Sequence, residues 1–244
     1  MIRELEEISM NAWPGIQTFL LDGWVLRFAN GVTRRANSVI PINCGSLDTV
    51  KKVEFCENIY RKNNLPVTFK MTKASCPENL EEILEEKKYK IEAETSVQLL
   101  DISGKNFDNL RQVIFDNKVN EQWLLDFMKL SGKNLDNYET YFRILNNIVS
   151  EKCLLSVLTK GKAIGLGLGV KQGKYMGIFD VIVNSKYRGK GYGRLIVESI
   201  MRWGKSVGAE TAYLQVMTDN IAGLNLYSSL GFKEEYKYWY RIKE

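Results

Sequence analysis

From Asp180 to Leu195 the chain reads Asp-Val-Ile-Val-Asn-Ser-Lys-Tyr-Arg-Gly-Lys-Gly-Tyr-Gly-Arg-Leu: an apolar run, a basic turn with glycine at every second position, and the start of a helical pattern. Gly189, Gly191 and Gly193 let the backbone approach a ligand closely. The amides that open a helix have no intrahelical acceptor, and the helix dipole adds positive potential there. This turn suits phosphate, and Arg188, Lys190 and Arg194 add full charges for a pyrophosphate. Two common phosphate loops do not fit. A nucleotide triphosphatase loop needs Lys followed by Ser or Thr after its last glycine, and a dinucleotide fingerprint needs glycine at 194, where this chain has Arg. Taken alone, the segment would also pass as a glycine-rich turn with solvated cations.

A second segment follows, Asn220-Ile-Ala-Gly-Leu-Asn-Leu-Tyr-Ser-Ser-Leu-Gly-Phe232. Arg188-x-x-Gly191-x-Gly193 after an apolar strand, then Asn220 and Leu226-Tyr227-x-x-Leu230-Gly231-Phe232, resemble the two signature segments of the GNAT superfamily of acyl-CoA-dependent N-acyltransferases. The resemblance covers Cys153 to Ile242 well, and Gly223 departs from it where alanine is usual.

The resemblance implies the roles. The backbone of Val181, Ile182 and Val183 would hold the pantetheine arm of acetyl-CoA. The turn from Arg188 through Gly189, Lys190, Gly191, Tyr192 and Gly193 to Arg194 would hold the pyrophosphate. Asn220 and Asn225 would flank the arm, and Tyr227 would protonate the departing thiolate, a role a neutral phenol of pKa ~10 can fill. A helical aromatic without such surroundings is more often core. N–H donors near Val181 would meet the oxyanion, and no covalent enzyme intermediate is required. Asp180 is a candidate base or a structural hydrogen-bonding residue; strict strand alternation turns its side chain away from the face of Val181 and Val183.

The elements that must position these groups can be read from pattern. Short strands at Thr18–Leu21, Trp24–Phe28 and Asn37–Ile40 are punctuated by Asp22-Gly23 and Asn30-Gly31, strong hairpin pairs. A helix from Ser46 or Asp48 to about Asn63, a strand at Pro66–Met71, a helix at Glu78–Lys88 and a strand at Glu94–Leu100 follow. Phe107 to Val149 reads as helical, broken near Ser131-Gly132. Strands at Cys153–Leu158, Ala163–Val170 and Tyr175–Val183 form an antiparallel meander. A helix from Gly191, a strand at Ala212–Met217, a helix at Ile221–Leu230 and a strand at Lys237–Ile242 complete the chain. The expected class is α/β with a mixed sheet, in a tandem arrangement: residues 1–93 as a degenerate GNAT-like domain and 94–244 as the catalytic domain. The first half lacks the chemistry, since Asn43-Cys44-Gly45-Ser46 stands where the glycine turn would be. Its Thr33-Arg34-Arg35-Ala36-Asn37-Ser38-Val39 segment resembles one in two-part GNAT proteins, where it serves either packing, the favoured reading, or substrate contact.

Composition sets the outer limits. The 244 residues are 45% hydrophobic and 26% charged, the balance of a globular chain and not a disordered one. There is no histidine, which removes Ser-His-Asp and Cys-His nucleophilic arrangements and His-containing zinc sites. Cys44, Cys56, Cys76 and Cys153 are widely spaced and read as reduced, mostly buried thiols, with no metal site. The acidic start Glu4, Glu6, Glu7 and the lack of a long apolar run point to a cytoplasmic protein without a membrane partner. The net charge of +5 suits a polyanionic small ligand, and no extended basic face with interleaved aromatics favours nucleic acid. The expected partner is a small-molecule or peptide amine, and the chain would be a monomer or homodimer. A silent acyl-CoA sensor is the alternative to an enzyme.

Overall fold

The computed structural model describes residues 1–107 and 113–243. In chain order the elements are α1 (Ile2–Ala12), β1 (Gln17–Leu21), β2 (Trp24–Phe28), β3 (Val39–Ile40), α2 (Thr49–Lys62), β4 (Val67–Thr72), α3 (Leu80–Glu86) and β5 (Lys90–Asp101). Then come β6 (Ile114–Asp116), α4 (Glu121–Ser131), α5 (Tyr138–Asn146), β7 (Glu151–Thr159), β8 (Lys162–Gln172), β9 (Tyr175–Val183), α6 (Tyr192–Ser206), β10 (Thr211–Met217), α7 (Ile221–Leu230) and β11 (Lys233–Lys243). The mixed α/β class is as expected. The chain forms two compact units: Met1–Ser96 together with the residues from Tyr236 on, and Val97–Glu235.

In the first unit the strand order is β1-β2-β3-β4-β11. The tight hairpin between β1 and β2 turns on Asp22 and Gly23 at φ 42° and 88°. Asn30 and Gly31, left-handed at 51° and 72°, do not form the expected hairpin turn but open a longer connection from β2 to β3 that holds a 3-10 turn at Arg34–Ala36. Asp48 caps α2 by accepting the Lys51 amide. The core gathers Trp24, Leu26, Phe69, Tyr60, Leu80 and Leu84, each worth roughly 1.5–3 kcal/mol of burial. Helix α1, in a segment with no element expected, earns its place through Leu5, Ile8 and Ala12, all buried. Its buried Glu6 accepts from Lys70 Nζ at 2.6 Å and from the Tyr236 hydroxyl at 2.7 Å. Arg27 is held by the carbonyls of Arg35, Met10 and Trp13. Asn37 uses its amide group locally, accepting from the Ala29 and Gly31 amides and donating to Thr33 O.

Two expectations are corrected here. Cys44 and Cys76, read as free thiols, form a disulfide with Cα atoms 5.0 Å apart, because the loops after β3 and β4 meet although they are 32 residues apart; Cys56 and Cys153 are free and buried. The stretch read as helical from 107 to 149 contains a strand, β6, whose Ile114, Phe115 and Asp116 pair with Ser156, Leu155 and Leu154. Part of that reading, 108–112, lies outside the described residues.

In the second unit the order is β10-β9-β8-β7-β6. Helix α6 lies on this sheet because Gly165, Gly167 and Gly169 of β8 present no side chains to it. A β-carbon on Gly167 would stand 2.6 Å from Ile196 Cγ2 and 2.8 Å from Ile200 Cδ1. Ile196 and Ile200 of α6 join Leu155, Ile178, Leu214 and Val216 of the strands in one core, which sets the height of the α6 N-terminus above the strand ends. Helix α4 ends at Gly132 in the left-handed conformation, the break foreseen at Ser131-Gly132.

Candidate active site

Strand β9 pairs with β8 along its length, but with β10 only from Tyr175↔Thr211 to Ile178↔Leu214. Past that point the two parallel strands share no ladder, and the sheet opens where the backbone of Val181, Ile182 and Val183 runs. The register against β8 also slips: Leu166 faces Ile182 and Leu168 faces Phe179, so Asp180 and Val181 together oppose Gly167. This is a β-bulge. Asp180 takes φ 49°, a left-handed conformation that Asp tolerates better than most residues. The strict alternation expected for Asp180 therefore does not hold, and its carboxylate reaches Tyr227 electrostatically.

The turn after β9 is built locally. Asn184 Oδ1 accepts the Lys186 amide at 3.1 Å, shaping a short 3-10 turn over Ser185–Tyr187. Gly189 and Gly191 follow at φ 71° and 83°, and a β-carbon on either would meet nothing within 4 Å. Gly191 is the N-cap of α6 and has no side chain to occupy the helix amides, so those amides face open space.

Across the opening stands α7. Asn220 caps it by accepting the Gly223 amide at 3.0 Å, and Tyr227 lies on the inner side with its ring 6.0 Å from that of Phe232. Burial, and then the Asp180 charge, push the Tyr227 phenol up to about 12, so it stays protonated at neutral pH.

These parts surround one cavity of about 760 Å³, the size of a small-molecule site. It is lined by Val181, Ile182, Val183, Arg188, Gly189, Gly191, Tyr192, Gly193, Arg194, Asn220 and Tyr227. Lys190, Asn225 and Asp180 are not in the lining. Lys190 Nζ donates instead to Lys186 O at 3.2 Å, and Asn225 is on the exposed side of α7. Arg188 Nε donates to Val183 O at 3.2 Å. Arg194 is turned toward α7, donating to Ser229 Oγ at 2.8 Å.

Sequence reasoning missed Leu130 and Ser131 of α4, Tyr187, and Ala222, Gly223 and Leu226 of α7. The last three were findable, since 222, 223 and 226 share a helical face with Tyr227. Leu130 and Ser131 carried no local signal beyond the Gly132 break. Among the described residues, no three or more His, Cys, Asp or Glu side chains are grouped to hold a metal ion, and no helix is long and apolar enough to cross a membrane.

A parted pair of parallel strands, a glycine-rich helix start on one side and a tyrosine-bearing helix on the other define the class as a GNAT-type N-acetyltransferase. Residues 1–241 match the family described as "Probable histone acetyltransferase Rv0428c C-terminal", and the chain belongs to that family. A relative of nearly equal length is the uncharacterized N-acetyltransferase YobR of Bacillus subtilis (strain 168), 29% identical over 251 residues that cover 99% of this chain and 98% of YobR. Among solved structures, a functionally unknown conserved protein from Staphylococcus epidermidis ATCC 12228 superposes with TM-score 0.69 at 13% identity, covering 98% of this chain and 99% of the other. A GCN5-related N-acetyltransferase from Kribbella flavida gives TM-score 0.68 at 11% identity, covering 98% and 95%. At these identities the two structures speak for the fold.

Proposed function

We propose that this chain transfers the acetyl group of acetyl-CoA to a primary amine of a small molecule, an amino acid or a peptide by direct attack on the thioester. One observation carries the reading: the cavity where β9 leaves β10 joins a side-chain-free helix N-terminus to a protonated Tyr227. The donor set fits a phosphorylated thioester carrier, because the open positions at Gly189 and Gly191 would be filled by any side chain, and Arg188 borders the same space.

Bound acetyl-CoA supplies an activated carbonyl and a thiolate leaving group. The amides from Gly189 to Arg194 hold its pyrophosphate, with Arg188 as counter-charge. The backbone of Val181 to Val183, released from β10, takes the pantetheine amides and offers an N–H to the developing oxyanion. Tyr227 keeps a proton on its phenol oxygen for the departing sulfur. Asp180, outside the lining but with its charge felt at Tyr227, is the group that takes up the proton released by the amine. A cytoplasmic setting accompanies this co-substrate; reducing conditions there would test whether Cys44 and Cys76 stay joined.

The test is calorimetric titration with acetyl-CoA of the wild type and of Arg188→Glu/Gly191→Asp. One-site binding that the double variant abolishes while staying folded supports the reading and justifies an amine screen by thiol release. Equal affinity in both, or no binding in the wild type, overturns it.

A further inference from the structure

We propose that Arg194 is a positioning residue for the reaction, clasping the phosphate-binding helix α6 to α7, the helix that carries Tyr227. The inference rests on the acetyl-transfer reading above and goes beyond it, because there Arg194 contributes only its backbone amide to the pyrophosphate.

The geometry is a two-pronged tie. One prong stays on its own helix: Arg194 Nη1 donates to Glu198 Oε1 at 3.0 Å, one turn further along α6. The other crosses: Nη2 donates to Ser229 Oγ at 2.8 Å and to Ser229 O at 3.3 Å. Ser229 Oγ in turn donates to Leu226 O at 2.6 Å. The two acceptors of this relay, Leu226 and Ser229, flank Tyr227. Glu198 fixes the guanidinium so that its second nitrogen faces α7, a division of labour that a planar fork of donors permits and an ammonium does not.

A second contact lies beside the tie. A β-carbon on Gly193 would stand 3.2 Å from Leu226 Cδ2, so α6 and α7 approach closely at the residue preceding Arg194. The arginine thus acts where the helices touch. Arg194 borders the cavity, and its guanidinium donates to Glu198 and Ser229. It holds the distance between the helix that binds the cofactor and the one that presents the phenol, and a misplacement of that phenol is felt in the chemical step.

The test is a double-mutant cycle on Arg194→Met and Ser229→Ala, with kcat, KM for acetyl-CoA, calorimetric affinity and amide exchange of α7 in the free protein. A clasp predicts that each single variant lowers kcat on the order of tenfold with little change in KM, and that the double variant falls no further than either single. Exchange of the amides around Leu226 to Leu230 should also rise in both free single variants. Arg194→Lys should recover only part of kcat. A pyrophosphate ligand predicts the opposite split: Arg194→Met raises KM and weakens binding at constant kcat, and Ser229→Ala changes neither. That result, or additive losses, overturns the clasp while leaving acetyl transfer standing. Absence of acetyl-CoA binding in the wild type overturns both.

Discussion

Asn220 Oδ1 accepts the amide of Gly223 at 3.0 Å, and the amide group of the same asparagine lies so close over the glycine that a β-carbon there would be 2.8 Å from Nδ2 and 3.0 Å from Cγ. The residue that departs from the family pattern is therefore matched to its cap. Gly223→Ala gains about 1 kcal/mol of helix propensity and loses about as much through a displaced cap. Thermal stability should stay nearly level while acetyl-CoA affinity weakens about fivefold, since Asn220 borders the cavity. Titration and a melting curve on the same sample check both halves.

Tyr227→Phe should lower kcat on the order of a hundredfold with little change in acetyl-CoA affinity. The phenol is held up to about 12, by burial first and the Asp180 charge second. Its proton therefore remains in place well past neutrality, and Tyr227 should impose no fall in kcat between about pH 8 and about pH 10. Asp180→Asn removes the charge that helps hold the proton, so the Tyr227 phenol should titrate lower, readable by ultraviolet absorbance against a Tyr227→Phe background.

A third prediction concerns stability. Asp22 accepts the amides of Leu47 and Ser46 and pairs with the buried Lys52 ammonium at 3.2 Å. These bonds, the Leu47 amide foremost among those that lower it, bring its carboxyl down to about 2. A folded-state value below the ordinary 3.8 means that Asp22 contributes stability above that pH and loses it as pH falls toward 2. Melting temperature should decline over that acid window in the wild type. In Asp22→Asn it should start lower at neutral pH, because Lys52 loses its charged partner, and the acid decline should be shallower.

What could be read from sequence was what is local. Asp22-Gly23 and Asn30-Gly31 take the left-handed pairs their residues favour, and Gly231 ends α7 in the same conformation. These features depend on a few neighbouring torsions. The glycine turn, Asn220 and Tyr227 meet in one cavity because two local motifs sit at the ends of adjacent strands. What escaped was set by partners far along the chain. The bulge at Asp180 answers to Gly167 on the neighbouring strand. The hydrogen bond from Arg194 to Ser229, 35 residues on, is likewise a contact that no local pattern reveals. Cys44 and Cys76 gave no spacing signal, and β6 is a three-residue strand that only pairing with β7 reveals.

The membership of the segment from Tyr236 on in the first unit bears on how the protein is made. Translation proceeds from the N-terminus, and a domain ordinarily folds once it has emerged. Here the first unit must wait for a strand that is synthesised after the whole of the second. Until then β4 lacks the neighbour with which Val67 to Thr72 pair, and Glu6 lacks the hydroxyl of Tyr236. The older half of the polypeptide thus emerges unfinished, with an open strand edge, and is completed only once β11 has been made.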